Sequence, residues 1–515
     1  MLPLDLLPLV LDHISEDRTT LLKCLLTNSQ FKRATASILY SQVVLRPKYG
    51  QTTGILDRLL SATLHCYAPF VHSFSVQGLL LENVVASFPI AETLLAAIKA
   101  FVNLKTLELV PDIYPDDFFT PILQQALELS SLQILRVNSS CMSEADSAIL
   151  ANLVRLRVLE LRSPTRAILN ILPDWLTKMD QLTELHLTSN CGSVTPGVLR
   201  QLVPLLQNVT AIALGLSYSI IDDDLLEFLG SLPNLKSAQL QHYLQYKRPA
   251  NELEMRQLRS LTVLYNYIGH AENMDRFCNW VCRVITGAPI EHVKLCCDEY
   301  EESSLAPRTF DTLLKDLASA NYETLHTLDL GGWLVSVDAV SLFLEKCKHL
   351  EEFSAALDQP GFEGFERRVS TMTCLHTSVL KIYAGAGLTT IENAERIMKK
   401  SVALRRLSLN ELKTEGSWVS HNGETLFVVR EIEQDVEDLP DGSIATDSTD
   451  REDSPTPDLD NIVRSSGIIM GAILEEEEDE NEYDMPKGIP LRAQLTLEDW
   501  LAEMNPESTS EIVSE

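Results

Sequence analysis

The chain has 515 residues, with 73 acidic against 42 basic side chains and a net charge of −31 at pH 7. Phosphate backbones and anionic lipid surfaces are held by Lys and Arg, so this balance excludes nucleic acid and membrane surfaces as main partners. No uninterrupted apolar run reaches the ~18 residues that a membrane-spanning helix needs. The apolar N-terminus is broken by Asp5 and Asp12 and follows no basic residue, so it does not read as a signal peptide.

Residues 1–45 read as three short helices. Leu2-Pro3-Leu4-Asp5-Leu6-Leu7-Pro8 opens the first, with Asp5 as N-cap and Pro8 inside the first turn, where N–H groups lack partners in any case. Leu6, Leu7, Val10, Leu11 and Ile14 then fall on one face at helical spacing. Ser15 or Asp17 can cap a second helix carrying Leu21, Leu22 and Leu25. Ser29 can cap a third carrying Phe31, Ala34, Ile38 and Leu39. So small a bundle leaves leucines over, and a surplus apolar patch marks a partner surface. The order L-P-x-D-L-L-x-x-V-L-x-x-I, then L-L-x-x-L, then Phe31 and Ile38-Leu-Tyr-Ser-Gln-Val-Val-Leu45, resembles an F-box domain, although Leu26-Thr-Asn-Ser-Gln-Phe31 lacks the usual Cys-Arg pair. The resemblance implies that Leu2, Pro3, Leu6, Leu7, Val10, Leu11, Ile14, Leu21, Leu22 and Leu25 bind a Skp-family adaptor. A helical cap that seals the next domain is the structural alternative.

Residues 46–103 form a connector, with helices expected at 62–67 and 94–100 and an irregular strand at Phe70–Val76. From 104 to 432 one spacing recurs, best preserved in Leu182-Thr-Glu-Leu185-His-Leu187-Thr-Ser-Asn190. Leu185 and Leu187 are two apart and share one face of a strand. The same frame opens at Leu104, Leu132, Leu156, Val209, Leu235, Leu258, Ile290, Leu325, Leu350, Thr377 and Leu404, a mean period of about 27 residues. This resembles the leucine-rich repeats, whose units are stable only when stacked. The resemblance implies an α/β solenoid, a horseshoe with strands on its inner curve. Most copies lack the asparagine, with Ser140, Pro164 or Trp333 in its place. Asp222-Asp223-Asp224 reads as a charged first helical turn rather than a metal site. Gln359 to Thr373, with Pro360, Gly361 and Gly364, reads as an exposed loop.

Residues 433–515 hold 25 acidic and 4 basic side chains, hence −21 of the net charge, and read as a disordered acidic tail. Within it, Ser454-Pro455-Thr456-Pro457 can accept proline-directed phosphate. Thr496-Leu-Glu-Asp499 is a capping box before Trp500, Leu501 and Met504.

Nothing in the chain matches a nucleotide loop, a zincin helix or a serine-hydrolase elbow, so neither cofactor nor metal is expected and catalysis by this chain alone is not. Cys278, Cys282, Cys296 and Cys297 read as buried thiols of an intracellular protein, cytoplasmic or nuclear. The residue between the two core positions of each strand faces the inner curve: Glu108, Arg136, Glu160, His186, Ala213, Gln239, Thr262, Lys294, Asp329, Ser354, Lys381 and Ser408. Arg136, His186 and Lys294 are the candidates for holding a target protein. Head and solenoid together resemble the target receptor of a Skp–cullin–F-box ubiquitin ligase, a non-catalytic subunit. Two alternatives pair such repeats with an acidic tail: binders of basic proteins such as histones, and regulators resembling the Ran GTPase-activating proteins.

Overall fold

The computed structural model describes residues 6–432 apart from 15–16, 48–58, 81–89, 115–117, 244–254, 267–270, 298–310, 384–386 and 422–423. The chain separates into two units, Met1–Gln434 and Asp435–Glu515, and all described residues belong to the first. The tail, with its phosphate-acceptor and capping-box segments, lies outside them, as do Leu2, Pro3 and Asp5.

Three helices open the described chain: α1 (Leu7–Asp12), α2 (Arg18–Leu25) and α3 (Ser29–Leu39). Pro8 sits in the first turn of α1. Asp17 caps α2, its Oδ1 accepting the Thr20 N–H at 2.9 Å. The cap of α3 is Asn28 rather than Ser29: its Oδ1 accepts the N–H groups of Gln30 and Phe31, both at 3.0 Å. Both residues are good N-caps, and the extended backbone of Asn28 places the helix start one residue earlier. Leu7, Leu11 and Leu21 form a small core with Ile14, Phe31, Ala34, Ile38 and Leu39.

The rest is one open sheet of sixteen strands in strict sequence order. They are β1 (Gln42–Leu45), β2 (Ser73–Leu79), β3 (Thr106–Ile113), β4 (Ile134–Asn138), β5 (Val158–Arg162) and β6 (Glu184–Asn190). Then follow β7 (Ala211–Leu216), β8 (Ser237–His242), β9 (Ser260–Tyr265), β10 (His292–Cys297) and β11 (Thr327–Val335). The last are β12 (Glu352–Leu357), β13 (Thr377–Ile382), β14 (Arg406–Leu409), β15 (Leu412–His421) and β16 (Glu424–Glu431). Neighbours from β1 to β14 run parallel, whereas β14, β15 and β16 are antiparallel.

Between parallel strands the chain returns through helices: α4 (Ile90–Ala100), α5 (Thr120–Ala126), α6 (Glu144–Leu150), α7 (Arg166–Leu176), α8 (Pro196–Leu202) and α9 (Asp222–Gly230). They continue with α10 (Ala271–Ile285), α11 (Asp311–Ala320), α12 (Val337–Lys346), α13 (Gln359–Arg368) and α14 (Ile391–Lys400). A mixed α/β, solenoid-like architecture follows. The frame residues supply its core: Leu182, Leu185 and Leu187, for example, are all buried, together with Leu199 and Leu202 of α8. The helices pack on that core side; the opposite side of the sheet is its open face.

One backbone contact repeats at every parallel junction. The carbonyl just after the first frame residue accepts two N–H groups from the next unit. Gln133 and Ile134 both donate to Lys105, Arg157 and Val158 to Gln133, and Thr183 and Glu184 to Arg157. This ladder corrects one frame. Its acceptors near the end are Glu351 and His376, so the frame opens at Leu375, not Thr377. Leu375, Ser378 and Leu380 are buried, and Val379 takes the open-face position expected for Lys381. The expected connector helix at 62–67 is also displaced: the described helical residues here are 59–62, and turns follow over 63–67.

The expected loop at 359–373 is mostly α13. Asp358 caps it, accepting the Gly361 N–H at 2.8 Å, and Pro360 stands in the first turn. Gly364 is a packing residue: a Cβ there would come within 3.0 Å of Val337 Cγ2, so its absence lets α13 lie close on α12. Phe362 and Phe365 are fully buried. Phe365→Ala is therefore expected to lower unfolding stability by about 3–5 kcal/mol in denaturant titration. An exposed loop residue would change it by under ~0.5 kcal/mol.

Candidate functional site

The three N-terminal helices carry apolar residues on two sides. Leu7, Leu11 and Leu21 point into their small core, with Ile14 and Leu25 half-buried. Leu6, Leu9 and Val10, at helical spacing on α1, are 45%, 61% and 47% exposed. On α2, Leu22 and the C-cap Leu26 stand out at 51% and 84%. Leu9 and Leu26 were not among the residues expected from sequence. Helical spacing follows the inward face through Leu7 and Leu11; the usable signal was that apolar positions in α1 exceed one face. Water-exposed apolar side chains at i, i+3 and i+4 are costly to leave uncovered and form a surface suited to a partner.

On the open face, strands β2 to β6 bring one polar network together. The register aligns Ser75, Glu108, Arg136, Glu160 and His186 side by side. Glu160 receives Arg136 Nε at 3.1 Å and Arg162 Nε at 2.7 Å. Arg162 Nη2 reaches Glu108 at 2.9 Å. Ser75 donates to the other oxygen of Glu108 at 2.9 Å, and Gln77 donates to Ser75 at 2.9 Å. Thr188 donates to Glu160 at 3.3 Å. Two carboxylates and two guanidinium groups thus cancel. Burial pulls the Arg162 pKa down, but Glu160 and Glu108 outweigh it and the net direction is up.

The three sequence candidates fall in different settings. Arg136 belongs to this network. His186 is next to it, 3.5 Å from Glu184; burial pushes its pKa down, so the ring is neutral at pH 7. Lys294 lies four strands away on β10, 3.8 Å from Asp329. Arg162, which ties the network together, is not legible from the sequence row because it sits two residues beyond it.

Farther along the open face is a groove of about 800 Å³. Ser354, Val379 and Leu380 line it with Lys381, Tyr383, Asn410 and Glu411. Tyr383 Oη donates to the Gly332 carbonyl at 3.1 Å, joining β13 to the irregular stretch of β11. Val379 and Tyr383 are 44% and 38% exposed. This groove depends on the register of β13 and was not visible in the frame as read from sequence.

No group of three or more metal-binding side chains gathers among the described residues. Of the four clustered cysteines expected to be buried, Cys278 is, whereas Cys282, Cys296 and Cys297 are half-buried. Burial pushes Cys278 up to about 12 and raises Cys282 as well, its thiol donating to Asp316 at 3.3 Å. Asp222, Asp223 and Asp224 do form the first turn of α9. Asp222 is buried there beside a cavity of about 30 Å³ lined also by His242, Tyr243 and Trp280. Burial pushes His242 down to about 4 and the Asp222 carboxyl up to about 6. No helix among the described residues is long and apolar enough to cross a membrane.

No protein-family model matches the chain, and no curated protein sequence matches it.

Asp222 has a measurable consequence. Its folded pKa of about 6 lies above the 3.8 of an ordinary aspartate, so the folded state favours the neutral form. A tenfold difference in proton affinity corresponds to about 1.36 kcal/mol, so this carboxyl alone takes about 3 kcal/mol from the folded state as pH rises from below 4 through 6, while the lowered His242 pKa acts in the opposite direction over the same range. Asp222→Asn removes that loss, so the variant is expected to match wild type near pH 4 and exceed it at about pH 7.5 in parallel unfolding titrations.

Proposed function

We propose that the chain is a non-catalytic receptor subunit of a Skp–cullin–F-box ubiquitin ligase. Its N-terminal helices dock a Skp-family adaptor, its repeat sheet holds a target protein on the open face, and other subunits transfer the ubiquitin. Tethering raises the effective concentration of the target near the charged conjugating enzyme. The observation that carries the reading is the double-sided bundle. One set of leucines holds the three helices together, and a second set, Leu6, Leu9, Val10, Leu22 and Leu26, is left in water. The F-box resemblance of residues 1–45 names the adaptor class, and the leucine-rich-repeat resemblance of 104–432 names the platform.

The charge of −21 on residues 433–515 favours a second reading, a scaffold whose acidic tail captures basic proteins without any ligase role. The two readings differ in which segment is required and in their salt dependence.

The test is co-expression with a Skp adaptor and purification of the full chain. Wild type is expected to yield a stoichiometric complex. Leu9→Asp combined with Leu22→Asp is expected to abolish it while the unfolding midpoint stays unchanged, since both side chains are exposed and charge placed at a buried interface is costly. A folded wild type that recovers no adaptor, yet binds histones through 433–515 in a salt-sensitive manner, would favour the scaffold.

A further inference from the structure

We propose that the outer edge of β16 pairs antiparallel with β16 of a second copy of this chain, giving a closed two-fold dimer. The proposal does not depend on the ligase reading.

It begins with backbone groups. β16 is the last strand of the sheet and is hydrogen-bonded on one side only, to β15. The Ile432 N–H donates to the Lys413 carbonyl at 2.8 Å, one step beyond the pair that sets Glu431 opposite Thr414. In an antiparallel pair, residues that exchange such bonds alternate with residues whose N–H and C=O turn the other way. The even-numbered residues of β16 therefore serve β15, and Thr425, Phe427, Val429 and Glu431 direct theirs outward. No strand receives them among the described residues.

Natural sheets blunt such an edge with lysine, proline, a bulge or a very short strand. β16 has eight residues, its pairing with β15 runs in continuous register, and Thr425 to Val429 contain neither charge nor proline. Leu426 beside the edge is 49% exposed. Such a strand is a template on which another strand can form.

The sequence of β16 selects the occupant. A two-fold axis normal to the sheet keeps every residue on its own face, so directly opposed residues differ by an even number and the axis passes through one residue. With the axis at Phe427, Glu424 stands opposite Arg430 of the second copy, and Arg430 opposite its Glu424. Two attractive charge pairs thus flank the axis. On the same face Leu426 stands opposite Val428, and on the other face Phe427 meets its own counterpart. Trp418 lies 5.0 Å from Phe427 and is 61% exposed, so the two copies line up four aromatic rings in one row. Opposite charges, aromatic pairs and aliphatic pairs across strands are the contacts that stabilise a sheet. Moving the axis one residue, to Val428, sets Arg430 opposite Leu426 and forfeits both charge pairs. The strand is therefore complementary to itself in one register. Pairing uses up this edge on both copies, so it stops at two.

Sedimentation velocity of the full-length chain at about 1 to 100 μM tests this, the range suited to so small an interface. Wild type is expected to pass from monomer to dimer across it. Arg430→Glu sets like charges opposite each other twice and is expected to raise the dimer dissociation constant at least about tenfold. Glu424→Arg is expected to do the same. The double variant, Glu424→Arg with Arg430→Glu, restores opposite charges and is expected to return the constant to within about threefold of wild type. Each variant should keep the wild-type unfolding midpoint, so that a loss of dimer is a loss of pairing and not of fold. A chain that stays monomeric at about 100 μM overturns the proposal and leaves the edge to a strand of another protein. A dimer that Arg430→Glu leaves unchanged overturns it too, as does one lost in both single variants and not regained in the double.

Discussion

A single backbone carbonyl in each unit, accepting two N–H groups from the next, fixes the whole sheet. From Ser41 to His376 the acceptor stands one residue past the first frame position, and it sets where the following strand begins. Every later feature inherits that register. A one-residue slip would turn each frame leucine toward the open face and each polar row residue into the core. The leucine spacing and the carbonyl ladder thus state the same constraint, one through apolar burial and one through the obligatory pairing of buried backbone groups.

With the core committed to one face, the other is free to vary, and it varies along the stack. Strands β2 to β6 present charges that satisfy one another. Strands β7 to β9 offer Ala213, Gln239 and Thr262, uncharged in register. Beyond β10 the surface is mixed and grooved, with Val379 and Tyr383 exposed. Although the chain carries −31 overall, this face is close to neutral where it is best ordered by ion pairs, so the acidity lies elsewhere.

The sequence read well where one local rule acted alone. Parallel strands at most frames, the helix begun by the three aspartates and the cap at Asp17 each follow from a few neighbouring residues. The errors lie where two rules compete. Thr377 and Leu375 both precede a plausible pair of core positions, and only the neighbouring unit's carbonyl decides between them. Gly361, Gly364 and Pro360 are loop formers by local propensity, yet here they serve a cap, a first turn and a close helix contact, a tertiary use that propensity cannot show. Arg162 illustrates a third limit: its reach across β4 exists only once three strands are aligned. For the N-terminal helices, apolar spacing found the bundle but could not say which leucines face inward, because α1 is apolar on both sides.

The end of the sheet shows how such a series terminates. The Arg405 carbonyl stands where the next parallel unit would dock, and it accepts instead the Gly416 N–H, at 2.8 Å, from a chain that has turned back on itself. Gly416 has no Cβ, which would collide with the Phe427 ring, so the returning strand can pack against its hairpin partner. Chain direction is thereby inverted between β14 and β15, and inverted again between β15 and β16. A second molecule offering its first strand would find the Arg405 carbonyl already occupied and a hairpin strand, β16, at the edge in place of a repeat unit. The molecule works as its own chain terminator: a repeat that could in principle polymerise end to end is quenched by two β-strands, and the stack has a defined size without relying on any change in its leucines.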